Sequence, residues 1–424
     1  MLRAFKHRVI SALWHVTLLR SVVHHTWFYR WVLGPSSNIP RLRFTFTEPQ
    51  DVTDRDIALC ERLITAYKRI DRTSEIRPDG VWSTIIDRHF ERLNTLLERE
   101  DAAQLARILA SMFREDFVYG IASGALVGRG ATRFISARVE SLKCLDGLVS
   151  LSEYLGTVRT ENAEQGLVAQ AFEATPAELV RRVEGEAGIA IGFPRVGAPY
   201  GLMLGDSLVT LESPEHLYVA LRINAEIANR LPSERSPAIV EIGAGFGGTA
   251  YWLLKLRALA VAGYTIIDLP LMNVIQGYFL AQAFGHDHVS LYGEPEPPRG
   301  ERSAPIRILP TTAIESFANR TVDVLINENS IPEMPLSAVE GYVSWAGAAV
   351  RGFFYSYNHE GFVATKGGHL VLVPEVIARV GGFRRESRNY SWLRRGYVEE
   401  VYVPVRGADS DCAAPIPSVR DASV

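Results

Sequence analysis

The chain has 424 residues, 47% of them hydrophobic and 22% charged, with a formal net charge of -3. That balance is ordinary for globular chains and lacks the basic excess of nucleic-acid binders, so no nucleic-acid partner is expected. The three cysteines, Cys60, Cys144 and Cys412, stand far apart without a CxxC spacing, which excludes a zinc cluster or disulfide framework and suits a reducing, cytoplasmic setting.

Residues 1–40 form an amphipathic segment. Its apolar run from Val9 to Leu19 is bounded by Arg20, too short to span a bilayer, and no small-residue cleavage site follows. Trp14, Trp27, Phe28 and Trp31 alternate with Arg8, Arg20 and Arg30. Such a helix docks on its own protein or lies on an anionic membrane surface, so residues 1–33 are a candidate for peripheral contact at the inner membrane surface.

Residues 41–232 read as a mainly helical, substrate-covering domain. Apolar residues recur at helical spacing over Asp51 to Asp71, Val81 to Leu97 and Ala102 to Phe113. Thr175-Pro176 and Ser213-Pro214 each put a hydroxyl before a proline, a helix-start signal. The Gly192 to Gly201 stretch reads as an ordered loop and a candidate lid.

From residue 233 to 406 short apolar runs alternate with helical patterns. Strands are expected at Ala238–Ile242, Tyr264–Asp268, Ile306–Leu309, Val322–Ile326 and Gly352–Tyr357. Helices are expected at Gly248–Ala262, Leu271–Phe284 and Ala338–Val350. This predicts an α/β fold with a doubly wound, mostly parallel Rossmann-like sheet. Phe383 to Val405 supplies the antiparallel closing strands. Residues 407–424 are small, polar and proline-containing and are expected to be a disordered tail.

Ligands of such sheets bind at the carboxyl ends of the strands. The first strand here runs into Glu241-Ile-Gly243-Ala-Gly245-Phe-Gly247-Gly248, and Asp268 ends the next. Glycines let backbone approach a ligand closely, and a terminal carboxylate accepts ribose hydroxyls. Gly243, Gly245 and Gly248 also satisfy GxGxxG, which leaves a dinucleotide open. Glu241 favours a ligand with sulfonium and ammonium groups over a pyrophosphate, and so S-adenosyl-L-methionine. The cofactor candidates are Glu241, Gly243, Gly245, Gly247, Asp268, Leu269 and Asn327. The competing reading is an NAD(P)-dependent oxidoreductase acting on a nucleotide sugar. It predicts a Tyr-x-x-x-Lys on a helix, a spacing that Tyr67-Lys68 and Tyr357 lack. A non-catalytic, membrane-associated scaffold with a vestigial site is the third.

These motifs resemble those of class I methyltransferases. Ile239 to Tyr251, Tyr264 to Pro270, Asn327 to Met334, Glu161 to Gly166 and Tyr355 to Asn358 are similar to a bacterial family of sugar O-methyltransferases, over roughly residues 115 to 360. The resemblance implies S-adenosylmethionine as methyl donor and a sugar hydroxyl as acceptor, in polysaccharide or glycosylated natural-product biosynthesis.

A sugar hydroxyl is a poor nucleophile at neutral pH, so a general base helps. The base is expected after the fourth or fifth strand. His359 is the first candidate, because imidazole titrates near working pH; Glu333 is the second and Glu328 the third. Tyr200, His216, Tyr218, Ser330 and Asn358 are the candidate acceptor contacts. Nothing in the spacing demands a metal, and none is expected.

Overall fold

The computed structural model describes residues 42, 44–71, 81–122, 133–162, 164, 174–256, 261–296, 304–360 and 371–405. The amphipathic segment 1–40, with its membrane reading, and the tail 407–424 lie outside the described residues. Among the described residues no helix is long and apolar enough to cross a membrane.

The N-terminal half is mainly helical. After a two-residue strand β1 (Thr45–Phe46) comes α1 (Asp54–Arg69), opened by a capping box between Thr53 and Asp56. The single pattern over Val81 to Leu97 divides into α2 (Val81–His89) and α3 (Glu91–Arg99). Phe90 lies at the break with φ -104° and ψ 1°. That bridge conformation turns the axis while Phe90, Leu93 and Leu97 stay buried. α4 (Ala102–Leu109) follows an Asp101 cap. Next come α5 (Arg133–Tyr154) and α6 (Pro176–Ala187), the latter capped by Thr175.

The Gly192 to Gly201 stretch, the candidate lid, is packed into the interior. Phe193, Val196 and Ala198 are buried, and the Phe193 ring stacks on Phe279 at 5.6 Å. The loop runs into a hairpin, β2 (Tyr200–Leu204) and β3 (Ser207–Thr210), which β1 extends to a three-stranded antiparallel sheet. α7 (Ser213–Arg230) starts at the expected place, but Ser213 does not cap it. The Ser213 hydroxyl instead accepts the Thr210 amide at 3.2 Å, tying helix to hairpin.

The C-terminal half holds an eight-stranded sheet. Its elements are β4 (Ala238–Ile242), α8 (Gly248–Leu256), β5 (Gly263–Asp268), α9 (Pro270–Phe284), β6 (Val289–Leu291), β7 (Ile306–Pro310), β8 (Val322–Glu328), α10 (Leu336–Ala349), β9 (Val350–His359), α11 (Val373–Val380), β10 (Phe383–Tyr390) and β11 (Tyr397–Pro404). The strand order is β10-β11-β9-β8-β4-β5-β7-β6. β4 to β9 pair in parallel, and β11 lies antiparallel to both β9 and β10. This is a doubly wound, Rossmann-like sheet with antiparallel closing strands. The chain enters at β4, works outward to one edge, then returns to β8 beside β4. The crevice between those strands is the topological switch point where such sheets bind ligands.

Two cores flank the sheet. Ile239, Tyr264, Ile266, Val324, Ile326, Phe353, Tyr355 and Tyr357 join the first, which extends without a break into the helical half through Leu63, Phe113, Phe193 and Leu217. Val240, Ile242, Ile267, Leu325 and Phe354 join the second, with Val339 and Val343 of α10 and Val376 and Ile377 of α11. Side chains alternate along a strand. Glu241, Asp268, Glu328 and His359 therefore fall in register with the first set, on the face covered by the helical half.

Candidate active site

The turn after β4 is made by glycine for two distinct reasons. Gly243, Gly245 and Gly247 have φ of 73°, 58° and 95°, a region L-residues rarely adopt. Space is the second constraint: a Cβ on Gly243 would run into the Ser330 hydroxyl, and one on Gly248 into the His216 ring. Phe246 between them is buried and locks the turn by edge-to-face contact with Phe113 and Phe279 at 5.3 and 5.2 Å.

Two carboxyls converge beside this turn. Glu241 is 1% exposed, and its Oε2 accepts the Tyr264 hydroxyl at 2.8 Å. Burial pushes its carboxyl up to about 7, the Tyr264 bond lowers it, and the neighbouring Asp268 raises it. Asp268 accepts the Leu269 amide at 2.8 Å and Gln276 Nε2 at 2.6 Å. Burial pushes Asp268 up to about 6 against these bonds. Gln276 also donates to Gly245 O at 2.9 Å, so one α9 side chain fixes both the carboxylate and the glycine turn. Leu269 contributes its amide to Asp268 and leads into Pro270 at the start of α9.

A second group gathers at the tips of β8 and β9. Glu328 accepts the hydroxyl of Thr249, in the first turn of α8. Burial and the neighbouring Glu215 push its carboxyl well above the usual range. Beyond it Asn329 takes a left-handed φ of 56°, a conformation Asn tolerates better than most residues. Its amide donates to Tyr357 O at 2.8 Å and its Oδ1 accepts the Tyr397 hydroxyl at 2.9 Å. Glu333, in the short turn that follows, accepts the indole N–H of Trp82 at 2.9 Å. The His359 ring meets Tyr397 edge-on at 5.6 Å.

Asn327, Ser330 and Asn358 brace this region. Asn327 Nδ2 donates to Ile242 O at 2.8 Å and to Ser330 Oγ at 2.6 Å, while its Oδ1 accepts from Asn358 at 3.0 Å. Asn327 is fully buried. It joins the ends of β4, β8 and β9, and its amide is spent on protein partners. Asn358 Oδ1 is buried without a hydrogen-bond partner.

The candidate acceptor contacts divide. His216 stands over the glycine turn, its ring 5.5 Å from Phe246 and its buried Nδ1 without a hydrogen-bond partner. Tyr218 is in the interior: it donates to Glu399, which Arg222 Nε also holds at 2.8 Å and Tyr355 at 3.2 Å. Tyr200 packs in the small sheet against Phe44 and Phe46, at 5.0 and 4.6 Å.

Several site residues escape sequence reasoning. Arg394, between β10 and β11, bonds Glu215 at 3.1 and 3.3 Å and lies 4.1 Å over the Tyr397 ring. Burial lowers its guanidinium, but Glu215 with the Tyr397 and Tyr357 hydroxyls outweighs burial and holds it above its ordinary range. Trp82, Thr249, Glu215, Asn329, Arg394 and Tyr397 come from well-separated segments, and no local pattern unites them. Gln276 did leave a signal: Asn273 and Gln276 are polar positions three apart in the buried, mostly apolar first half of α9.

Among the described residues no group of three or more His, Cys, Asp or Glu is arranged to hold a metal. Tyr251 and Lys255 of α8 do have the Tyr-x-x-x-Lys spacing of a hydride-transfer pair. Their surroundings are wrong for it: the buried Tyr251 ring packs against Trp252 at 4.9 Å and Phe279 at 5.9 Å, and Lys255 reaches the Ala190 carbonyl.

No family model matches the sequence, and no curated protein matches it either. Solved structures do align. Magnesium protoporphyrin IX methyltransferase from Synechocystis PCC 6803, with bound S-adenosylmethionine, aligns over 46% of this chain and 81% of its own, at 11% identity and a TM-score of 0.31. Mitomycin 7-O-methyltransferase covers 82% of this chain and 94% of its own, at 13% identity and a TM-score of 0.33. The 1,6-didemethyltoxoflavin N1-methyltransferase of Burkholderia thailandensis covers 45% and 79%, at 16% identity and a TM-score of 0.30. The scores and identities are low, so the chain's own strand order, rather than the likeness, establishes the Rossmann-like sheet.

Proposed function

We propose that the chain is an S-adenosylmethionine-dependent O-methyltransferase whose acceptor is a sugar hydroxyl. The observation that carries this reading is the pairing of Glu241 and Asp268 beside a turn built on Gly243, Gly245 and Gly247. Two carboxyls suit a donor that bears positive charge and a ribose, and a glycine turn admits its close approach. Asp268 would hold the ribose hydroxyls, and Glu241 favours the cationic end. When bound, S-adenosylmethionine supplies an electrophilic methyl group.

The protein's work is then to position the acceptor and remove its proton. Glu333 is the base this reading favours. Its Oε2 is engaged by Trp82, and Oε1 is left to take the hydroxyl proton. Burial lifts its carboxyl above the ordinary range, which makes it a stronger base than an exposed glutamate. His359, edge-on to Tyr397, is the second choice. The sugar acceptor is supported by the resemblance of Asn327 to Met334 and Tyr355 to Asn358 to sugar O-methyltransferases. An indole among carboxylates also suits a ring with an apolar face and polar edges. A cytoplasmic enzyme whose residues 1–33 touch the inner membrane surface fits the same reading.

The test is incubation with methyl-labelled S-adenosylmethionine and a panel of glycans, read by mass spectrometry. Mass gain on a sugar hydroxyl is the expected result. Methylation confined to amines or thiols would overturn the sugar assignment while leaving the donor standing.

A further inference from the structure

The helical half does more than cover the sheet. α2 is pinned beside the glycine turn: His89 stacks on Tyr119 at 4.4 Å with 18° between the rings. The segment after Tyr119 turns through Gly120, at φ +89°, which lies against Trp82 and Ile85. It then brings Ile121 over Gly245, so that a Cβ there would meet Ile121 at 3.7 Å. Trp82 is thereby held with its indole N–H 2.9 Å from Glu333 Oε2, across 251 residues of sequence.

We propose that Trp82 is a positioning residue for the reaction, fixing the Glu333 carboxylate and setting the pH at which it takes a proton. The proposal rests on Glu333 being the base. An N–H donor stabilises the ionised carboxylate and leaves the protonated form without an equivalent gain. Burial raises Glu333, while Trp82 and Arg394 lower it. Of the charged and titratable groups that interact with it, Arg394 is shared with Glu215 and Tyr397 is tied to Asn329. Trp82 is the partner that hydrogen-bonds Glu333 itself, and it comes from the helical half. Through this indole the helical half reaches the proposed base.

The experiment follows the protein rather than an unidentified acceptor. The full chain is labelled with 15N at the indole nitrogens and titrated by NMR with S-adenosylhomocysteine present. The Trp82 signal is the one missing in Trp82→Phe. It should move with pH in one step in the wild type and stay flat in Glu333→Gln. The Glu333 carboxyl, identified by 13C labelling and its loss in Glu333→Gln, should titrate about one pH unit higher in Trp82→Phe. A wild-type indole signal that ignores pH, or a Glu333 carboxyl that titrates alike with and without the indole, overturns the proposal. If Trp82→Phe does not fold, Trp82→Leu takes its place, both to assign the indole signal and to compare the Glu333 carboxyl with and without the indole. Calorimetric binding of S-adenosylmethionine, run in parallel, should be unchanged in Trp82→Phe. Its absence in the wild type would defeat the proposed function and leave the indole titration to be read by itself.

Discussion

The two sides of the site are built differently. The proposed donor side is local: Glu241, the glycine turn, Asp268 and Gln276 lie on two strand–helix units in one stretch of chain. The proposed acceptor side is an assembly of Trp82 from α2, Glu215 from α7, Glu328 at the end of β8, Glu333 in the turn after it, and Arg394 and Tyr397 from the closing hairpin. A donor shared by many enzymes needs only a turn and two acids. An acceptor particular to one enzyme calls for side chains gathered from wherever the fold brings them.

That contrast can be broken by experiment. The largest expected effect is on the acceptor side: Glu333→Gln should lower the rate of methyl transfer by about a thousandfold, with donor affinity by calorimetry within about twofold. A comparable loss of donor binding would dissolve the division. A control lies beneath both sides. Arg222→Ala leaves Glu399, 2% exposed as a side chain, as an unpaired buried charge. It should cost about 3 kcal/mol in a denaturant melt and leave the affinity of the folded fraction unchanged. Altered affinity would move Tyr218 and its network back into the acceptor site. Next, Asp268→Ala should weaken S-adenosylmethionine binding about a hundredfold, whereas deletion of residues 1–33 should leave it unaltered.

The smallest expected effect is on pH. Glu241 and Asp268 are raised to about 7 and about 6 from 4.5 and 3.8, so the folded protein holds their protons more tightly than the unfolded chain. Their favourable contribution to stability is fully present below the unfolded values and is lost as pH rises through about 6 to 7. Binding of a cation runs the other way, because it needs the ionised carboxyls. Donor affinity should rise about tenfold between about pH 5.5 and 8, with proton release near neutrality seen as a buffer-dependent enthalpy. An affinity indifferent to pH would remove these acids from the cation's surroundings.

Legibility in the sequence follows the same division. Strands β4, β5, β8 and β9 announce themselves as short apolar runs because both faces are covered. The turn announces itself because only glycine fits its φ. The hairpin β2–β3 was legible in principle from Gly205-Asp206 between two apolar runs, but the preceding Gly- and Pro-rich stretch reads as loop. Phe90 hides a helix break inside an unbroken apolar pattern. Trp82 looks like one more core position on an amphipathic helix, and Arg394 like a solvated residue in a hairpin. Neither has a sequence neighbour that betrays its partner, since Glu333 and Glu215 meet them only through tertiary packing.

The most direct test is a calorimetric titration of the purified chain with S-adenosylmethionine and, separately, with NAD. Micromolar binding of the first and none of the second is the predicted result. Saturable binding of NAD with no heat from S-adenosylmethionine would contradict the account at its base.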